Sequence, residues 1–263
     1  MVLVGWLIVV AAVLTALGWI KDAWFFSVGY AASVAVMLVI TAVVARQTLS
    51  LASLIQLLVL LAWAVRMFVF LTTRERAASY QGRADADRTP IPYPARVPLW
   101  IMCALLYPAM VTPTVLAAQA PTPRRGWLVA TVIGLVLLTA GVLIEAVADA
   151  QKQRAKRVDP KVFVSTGLFG WVRVPNYLGE TLVWTGSLLA GAHALTTPLR
   201  IVVALLGWGS LVFIMLGATR RIERTQRERY GHLEEFQRYS TTVPVLLPWI
   251  PVYSIRALPV PEL

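Results

Sequence analysis

Long apolar stretches alternate with short polar ones along most of the chain. Seven are long enough to cross a bilayer, which takes about 20 residues each; they lie near 2–19, 24–45, 49–71, 98–119, 127–149, 177–195 and 201–219. The pattern predicts an all-α, polytopic membrane protein with seven transmembrane helices. A strongly charged amphipathic stretch then runs to about 239, followed by a Pro-rich apolar tail. The connection 72–97 reads as a true loop, rich in Arg and Pro, with Arg74, Arg76, Arg83 and Arg88. No internal repeat is visible, so the inverted-repeat signature of many transporters is missing.

Composition sharpens this picture. The 263 residues are 58% hydrophobic and 14% charged, outside the range of soluble domains. The length suits one membrane domain. The net charge of +11 would suggest nucleic acid in a soluble protein. Here its distribution explains it: of the 24 Lys and Arg residues, all but Arg46, Arg66, Arg124, Arg125 and Arg200 lie in the first, third and fifth connections or after the last span. Basic loops stay in the cytoplasm, which puts the C-terminus there and the N-terminus outside. A bacterial inner-membrane location, no nucleic-acid partner and a monomer are expected. The N-terminus has neither a basic leader nor a small-residue cleavage site, so the first stretch reads as a retained span. The lone cysteine, Cys103, and the isolated His193 and His232 suggest neither a disulfide nor a metal site.

The chemistry-bearing residues cluster late in the chain. In Gly167–Trp184, Pro175 can open a helix, and Asn176 and Glu180, four apart, share one face of it. A carboxylate in an apolar span is costly and marks a functional site by default. The end of the fifth span spaces Glu145, Asp149, Lys152 and Lys156 by three or four, giving one stripe that is acidic at its deep end and basic at the surface. Its acidic end can accept hydrogen bonds and its basic end can hold phosphate; salt bridging and snorkelling lysines are the bland reading. Arg220, Arg224 and Tyr230 continue the last span as a charged helix, and Tyr239 precedes the Pro-rich tail. Arg66 inside the third span must pair or snorkel.

These motifs resemble the steroid 5-alpha-reductase family, close to its bacterial members, most strongly from Gly141 to Trp249. Arg173-Val-Pro-Asn176-Tyr177-Leu-Gly-Glu180 resembles the family's Arg-His-Pro-Asn-Tyr-x-Gly-Glu/Asp signature, with Val174 where histidine is usual. Asp149-Ala-Gln-Lys152 with Lys156 resembles the polar stripe before it, and Lys21-Asp22-Ala-Trp24 and Trp63 to Arg66 resemble the N-terminal half more weakly. The resemblance implies seven membrane helices with substrate-side helices over 1–119 and a cofactor-binding half over 120–263. It implies NADPH roles for Asp149, Lys152, Lys156, Asn176, Tyr177, Glu180, Arg224 and Tyr239, with Val164 and Phe169 beside the cofactor rings. Glu145 stands where the animal enzymes have an amide. Arg220 joins this set through the density of basic residues around the phosphates, and Tyr230 is counted as cofactor-binding with it. Lys21-Asp22 corresponds to a Gln-Glu pair near the substrate carbonyl, and Trp63 to a partnering tyrosine whose phenolic proton it cannot supply.

The implied activity is reduction of an activated C=C bond in a lipophilic enone, such as the Δ4 bond of a 3-oxo steroid, with Asp22 as the expected proton donor and Tyr30, Tyr93 or Tyr107 next in line. The partners would be that substrate and membrane lipids. Two rivals stand beside this reading. One is a membrane methyltransferase of the isoprenylcysteine or phospholipid type using adenosyl-methionine, which shares the Arg-x-Pro-x-Tyr pattern. The other is a transporter or scaffold.

Overall fold

The computed structural model describes residues 1–76, 91–123 and 125–259. Arg83, Arg88 and Arg124 therefore lie outside the described residues. The fold is all-α, with eight helices among the described residues: α1 Val2–Thr15, α2 Val28–Val44, α3 Leu51–Arg76, α4 Tyr93–Gln119, α5 Arg125–Val158, α6 Pro175–Gly191, α7 Pro198–Tyr230 and α8 Glu234–Thr242. Short 3-10 turns at Ala16–Trp19, Asp22–Phe25, Gly167–Gly170 and Ala192–Ala194 join them.

Among the described residues six segments are long and apolar enough to cross a membrane: Val2–Trp19, Asp22–Val44, Leu51–Glu75, Tyr93–Gln119, Arg125–Val158 and Pro198–Tyr230. The chain is thus an integral, multi-pass membrane protein. Its outer surface agrees. On α5 the exposed Val129, Val132, Val136, Leu143 and Val147 recur at intervals of three to seven and make one apolar stripe, suited to lipid and not to water. The stretch near 177–195 does not count as a seventh candidate. Its helix, α6, is only 17 residues long and is diluted by Asn176, Glu180, Thr181, Thr185 and Ser187. Nor is 72–97 wholly a loop, because α3 continues through Arg76 and α4 begins at Tyr93.

The chain divides into two compact units, Met1–Leu135 with Ser187–Trp208, and Val136–Gly186 with Gly209–Leu263. In the first unit α4 packs against α1, α2 and α3. It carries Pro98, Pro108 and Pro113 in its interior. A proline lacks the N–H that would bond the carbonyl four residues earlier, so Pro113 releases the Ala109 carbonyl. Glycines approach both places. A Cβ on Gly207 would lie 2.5 Å from the Ala109 carbonyl carbon, and one on Gly191 would lie 2.4 Å from the Pro113 oxygen. Side chains also serve α4. Trp100 Nε1 donates to the Ala12 oxygen at 2.8 Å, and the Ser53 and Thr48 hydroxyls donate to the terminal carbonyls of Ala117 and Ala118 at 2.9 and 2.8 Å. Gln56 Nε2 donates to Thr114 Oγ1 at 2.8 Å and to the Ser187 carbonyl at 2.9 Å, and the two hydroxyls pair at 2.9 Å. This buried amide–hydroxyl knot satisfies polar groups that lipid could not.

In the second unit α5 and α6 cross at glycines. A Cβ on Gly141 would fall 2.6 Å from the Gly179 oxygen and from the Val183 nitrogen. One on Gly179 would fall 2.8 Å from both the Glu145 nitrogen and the Gly141 oxygen. These are backbone atoms, which cannot rotate away. Gly179→Ala is therefore expected to lose about 1–3 kcal/mol, the range for overpacking a tight contact, in thermal unfolding of detergent-solubilised protein. Gly126→Ala, whose Cβ would meet nothing within 4 Å, should melt as the wild type does. Equal melting of the two variants would show that the crossing has slack.

Candidate functional site

The glycine crossing puts polar side chains where two helices touch. Glu145 and Asp149 on α5 and Glu180 on α6 are all buried. Because Gly179 abuts Glu145, the deep end of the α5 stripe lies against the first turns of α6. The spacing argument holds: Glu145, Asp149, Lys152 and Lys156 ride on one continuous helix, and α6 begins at Pro175, so Asn176 and Glu180 are one turn apart in it. Opposite the carboxylates, α5 presents Leu143 and Val147 outward.

The approach to α6 is fixed by a buried charge. Arg173 is 3% exposed. Its Nη2 donates to Glu223 Oε1 on α7 at 3.2 Å and to the Tyr253 carbonyl. Glu223 Oε2 accepts from the Ile255 N–H at 3.1 Å. The backbone N–H groups of Arg173 and Val174 donate to the carbonyls of Pro244 and Val245 at 2.9 and 3.2 Å. The tail is thereby tied to the extended segment that enters α6. Arg173 Nε is buried with no partner among the described residues, so the site keeps one guanidinium N–H in reserve. Glu223 was not singled out in the sequence, where it looks like one charge among many in Arg220–Arg229.

Around this core stand aromatic groups. Phe163, Tyr230, Phe236 and Tyr239 form a cluster with ring centroids 5.5–6.3 Å apart. Tyr239 donates its hydroxyl to the Phe169 carbonyl at 2.8 Å. Burial pushes the Tyr239 phenol well above its usual range, against the opposing charge of Arg173, so it remains a protonated donor. Gly167 takes a positive φ of 63° beside the Gln151 side chain, and Gln151 Oε1 accepts from the Leu168 N–H at 3.0 Å. Val164 lies half-buried in the segment before that turn.

The basic residues behave less uniformly than their spacing suggests. The Lys156 ammonium donates to the Pro160 carbonyl at 3.1 Å, to the Val162 carbonyl and to the Tyr230 hydroxyl at 3.1 Å, so its three protons hold the following loop. Arg224 is exposed and pairs with Glu228 at 3.6 Å. Arg220 Nη1 donates to the Leu258 carbonyl at 3.1 Å.

In the first unit Asp22 differs from expectation. Its Oδ1 accepts from the Ala23 N–H at 2.7 Å and its Oδ2 from the Ile91 N–H at 3.1 Å, so this carboxylate clamps the backbone at the entry to α4. A second acid stands at the boundary of the N-terminal half. Glu75, buried at the end of α3, accepts from Lys21 Nζ at 2.5 Å and Trp24 Nε1 at 3.2 Å. Nothing in Arg74-Glu75-Arg76 distinguishes it in sequence from a solvated run. Trp63 is fully buried against Tyr30, with centroids 5.7 Å apart, and Tyr30 lies 4.9 Å from Tyr107. The Tyr107 hydroxyl donates to the Phe25 carbonyl at 2.6 Å. Tyr93 is exposed and stacks on Trp19 at 6.0 Å. Arg66 donates to Met67 Sδ at 3.3 Å.

A family model described as "Protein of unknown function (DUF1295)" matches residues 8–243. A protein of Schizosaccharomyces pombe (strain 972 / ATCC 24843), named "Uncharacterized protein C594.04c", is 40% identical over 75 residues, which are 28% of this chain and 21% of the yeast protein. The match thus spans about a fifth of that relative. No solved structure matches.

Removing one member of a buried ion pair strands the other. Arg173→Met and Glu223→Leu should each cost about 3–5 kcal/mol, while the double variant recovers part of the loss. Thermal unfolding in detergent measures it; strictly additive losses would mean that the two groups do not act as a pair.

Proposed function

The chain belongs to the DUF1295 family, and from that premise we propose that it is an NADPH-dependent membrane reductase of an activated C=C bond in a lipophilic enone, with a 3-oxo-Δ4 steroid as the leading substrate. The observation that carries the reading is the burial of Glu145, Asp149 and Glu180 on two helices locked at Gly141 and Gly179. Buried acids in an apolar frame are retained for use. The donor set suits a dinucleotide. Asn176, Tyr177, Glu180 and Glu145 would hold the nicotinamide end. Asp149 would take ribose hydroxyls, and Lys152, Arg220 and Arg224 the phosphates, joined by Lys156 once it leaves the Val162 carbonyl. Val164, Phe169, Tyr230 and Tyr239 would flank the rings.

NADPH, when bound, supplies hydride to the β-carbon of the enone. The remaining work belongs to the protein, which must polarise the carbonyl oxygen and return a proton. In this reading that proton comes from Tyr30. Asp22 already accepts two backbone N–H bonds, and Trp63 has no phenol; Tyr30 packs on Trp63. A reaction carried out within the membrane would keep water from the hydride and would suit a lipid-soluble substrate. The same reading counts α6 as a seventh crossing and puts the C-terminus in the cytoplasm, from the Lys and Arg asymmetry.

The ultraviolet spectrum of protein purified in detergent should carry the band of a reduced nicotinamide. Co-purified adenosyl-methionine would instead favour the methyltransferase rival. In calorimetry NADPH should bind more tightly than NADH, since basic groups favour the 2′-phosphate; equal affinities would count against the assignment. Glu180→Gln is expected to abolish turnover with the fold intact. Tyr30→Phe should lower turnover by about 10²-fold or more, the scale of a positioned acid, with NADPH affinity unchanged. Asp22→Asn should have the smaller effect on turnover. The opposite ranking would return the donor role to Asp22.

A further inference from the structure

The tail after α8 does not run off into solvent. Pro244 and Val245 pair with the segment entering α6, and the Val245 N–H donates to the Val252 carbonyl at 2.9 Å, closing residues 245–252 into a knuckle. Beyond it the chain is pinned to α7: Ile255 to Glu223 at 3.1 Å, and Leu258 to Arg220 at 3.1 Å. Those two anchor points fix its height. From Ile201 to Thr219, α7 has no charged residue, a length of about 28 Å against about 30 Å of hydrocarbon. Arg220 and Glu223 occupy the first turn past that run, and α7 continues for about three turns to Tyr230. The knuckle is therefore level with the edge of the apolar segment and well short of the helix end.

What it displays there is apolar. Trp249 is 86% exposed and Trp171 is 64% exposed, with their centroids 6.4 Å apart. Leu247, Ile250 and Val252 are exposed beside them. Trp249 also has φ 65°, the only positive φ at a non-glycine residue among the described residues, a region that bulky side chains rarely adopt. A shallow cavity of about 350 Å³ is lined by both tryptophans, Tyr253 and prolines. Exposed arginines, Arg221 on α7 and Arg256 on the tail, are near neighbours in the chain of these anchor points.

We propose that this knuckle is an interfacial membrane anchor, with Trp171 and Trp249 seated at the headgroup–acyl boundary and part of one phospholipid resting in the shallow cavity between them. Indole rings favour that boundary because one edge is polar and the body is apolar. The flanking arginines complement phosphate. The surface is continuous with α7, which itself lies in the bilayer, so lipid is the neighbour that this face already has. The inference does not depend on the reductase reading.

The test uses full-length Trp249→Cys carrying a nitroxide, in phosphatidylcholine/phosphatidylglycerol vesicles, beside an Arg227→Cys label on the charged end of α7. Cys103 is buried and escapes labelling. At position 249 collisions with oxygen should exceed those with a water-soluble nickel chelate, and at 227 the order should reverse. Nickel accessibility at 249 equal to that at 227 would overturn the proposal. So would spin–spin broadening that disappears on dilution with unlabelled protein, because the face would then meet a second copy. If the cysteine variant does not fold, Trp249→Phe serves: the fluorescence it lacks relative to wild type should be the part quenched by phosphatidylcholine brominated near the headgroup. No loss of quenching would equally refute the anchor.

Discussion

A guanidinium withdrawn from water must be answered by other groups, and much of the second unit is arranged around answering Arg173. Two parts of the chain answer it, Glu223 from α7 and the Tyr253 carbonyl from the tail, and the same tail offers the Pro244 and Val245 carbonyls to the backbone N–H groups of Arg173 and Val174. Glu223 in turn holds the Ile255 N–H. Desolvating a charge costs several kcal/mol unless pairing is good, so each of these contacts is conditional on the others. The start of α6, with Asn176 and Glu180, takes its place from that junction.

The second constraint is steric. Helices in lipid gain little by burying apolar area against one another, so close packing and polar contacts carry their association. Gly141 and Gly179 let α5 and α6 approach until backbone meets backbone. That approach brings Glu145 against the first turns of α6 and keeps it from lipid. Charge burial at Arg173 and close contact at the glycines therefore act on the same helix from its two neighbours, and the acids between them inherit a defined position.

Much of this was legible in the chain. Apolar runs located the helices, the three-to-four spacing put Glu145 and Asp149 on one buried face, and Pro175 marked the start of α6. Legibility failed where a residue's meaning depends on a distant partner. Glu75 looks solvated between two arginines until Lys21 and Trp24 are brought to it. Asp22 looks like an acid at a membrane boundary until the Ile91 N–H reaches its carboxylate. Lys156 has the spacing of a phosphate ligand, yet it closes its own loop through Pro160 and Tyr230. Glu223 is hidden in a run of charges by its neighbours. Length and hydropathy count six candidate spans because α6 is short and its polar residues lower its hydropathy, and the polar partners they find, as Ser187 does in Gln56 and Thr114, are invisible along the sequence.

The prolines of α4 have a consequence for how such a chain is made. Ribosomes deliver helices to the membrane in order, and α4 emerges long before the residues that fit its irregular places. The Ala109 carbonyl, left without its helical donor by Pro113, is approached by Gly207, and Pro113 itself by Gly191. Until the end of α6 and the start of α7 have been synthesised, α4 lacks the backbone that closes over Ala109 and Pro113 in the finished protein. The first four helices can enter the bilayer one by one, but their packing is completed only from downstream.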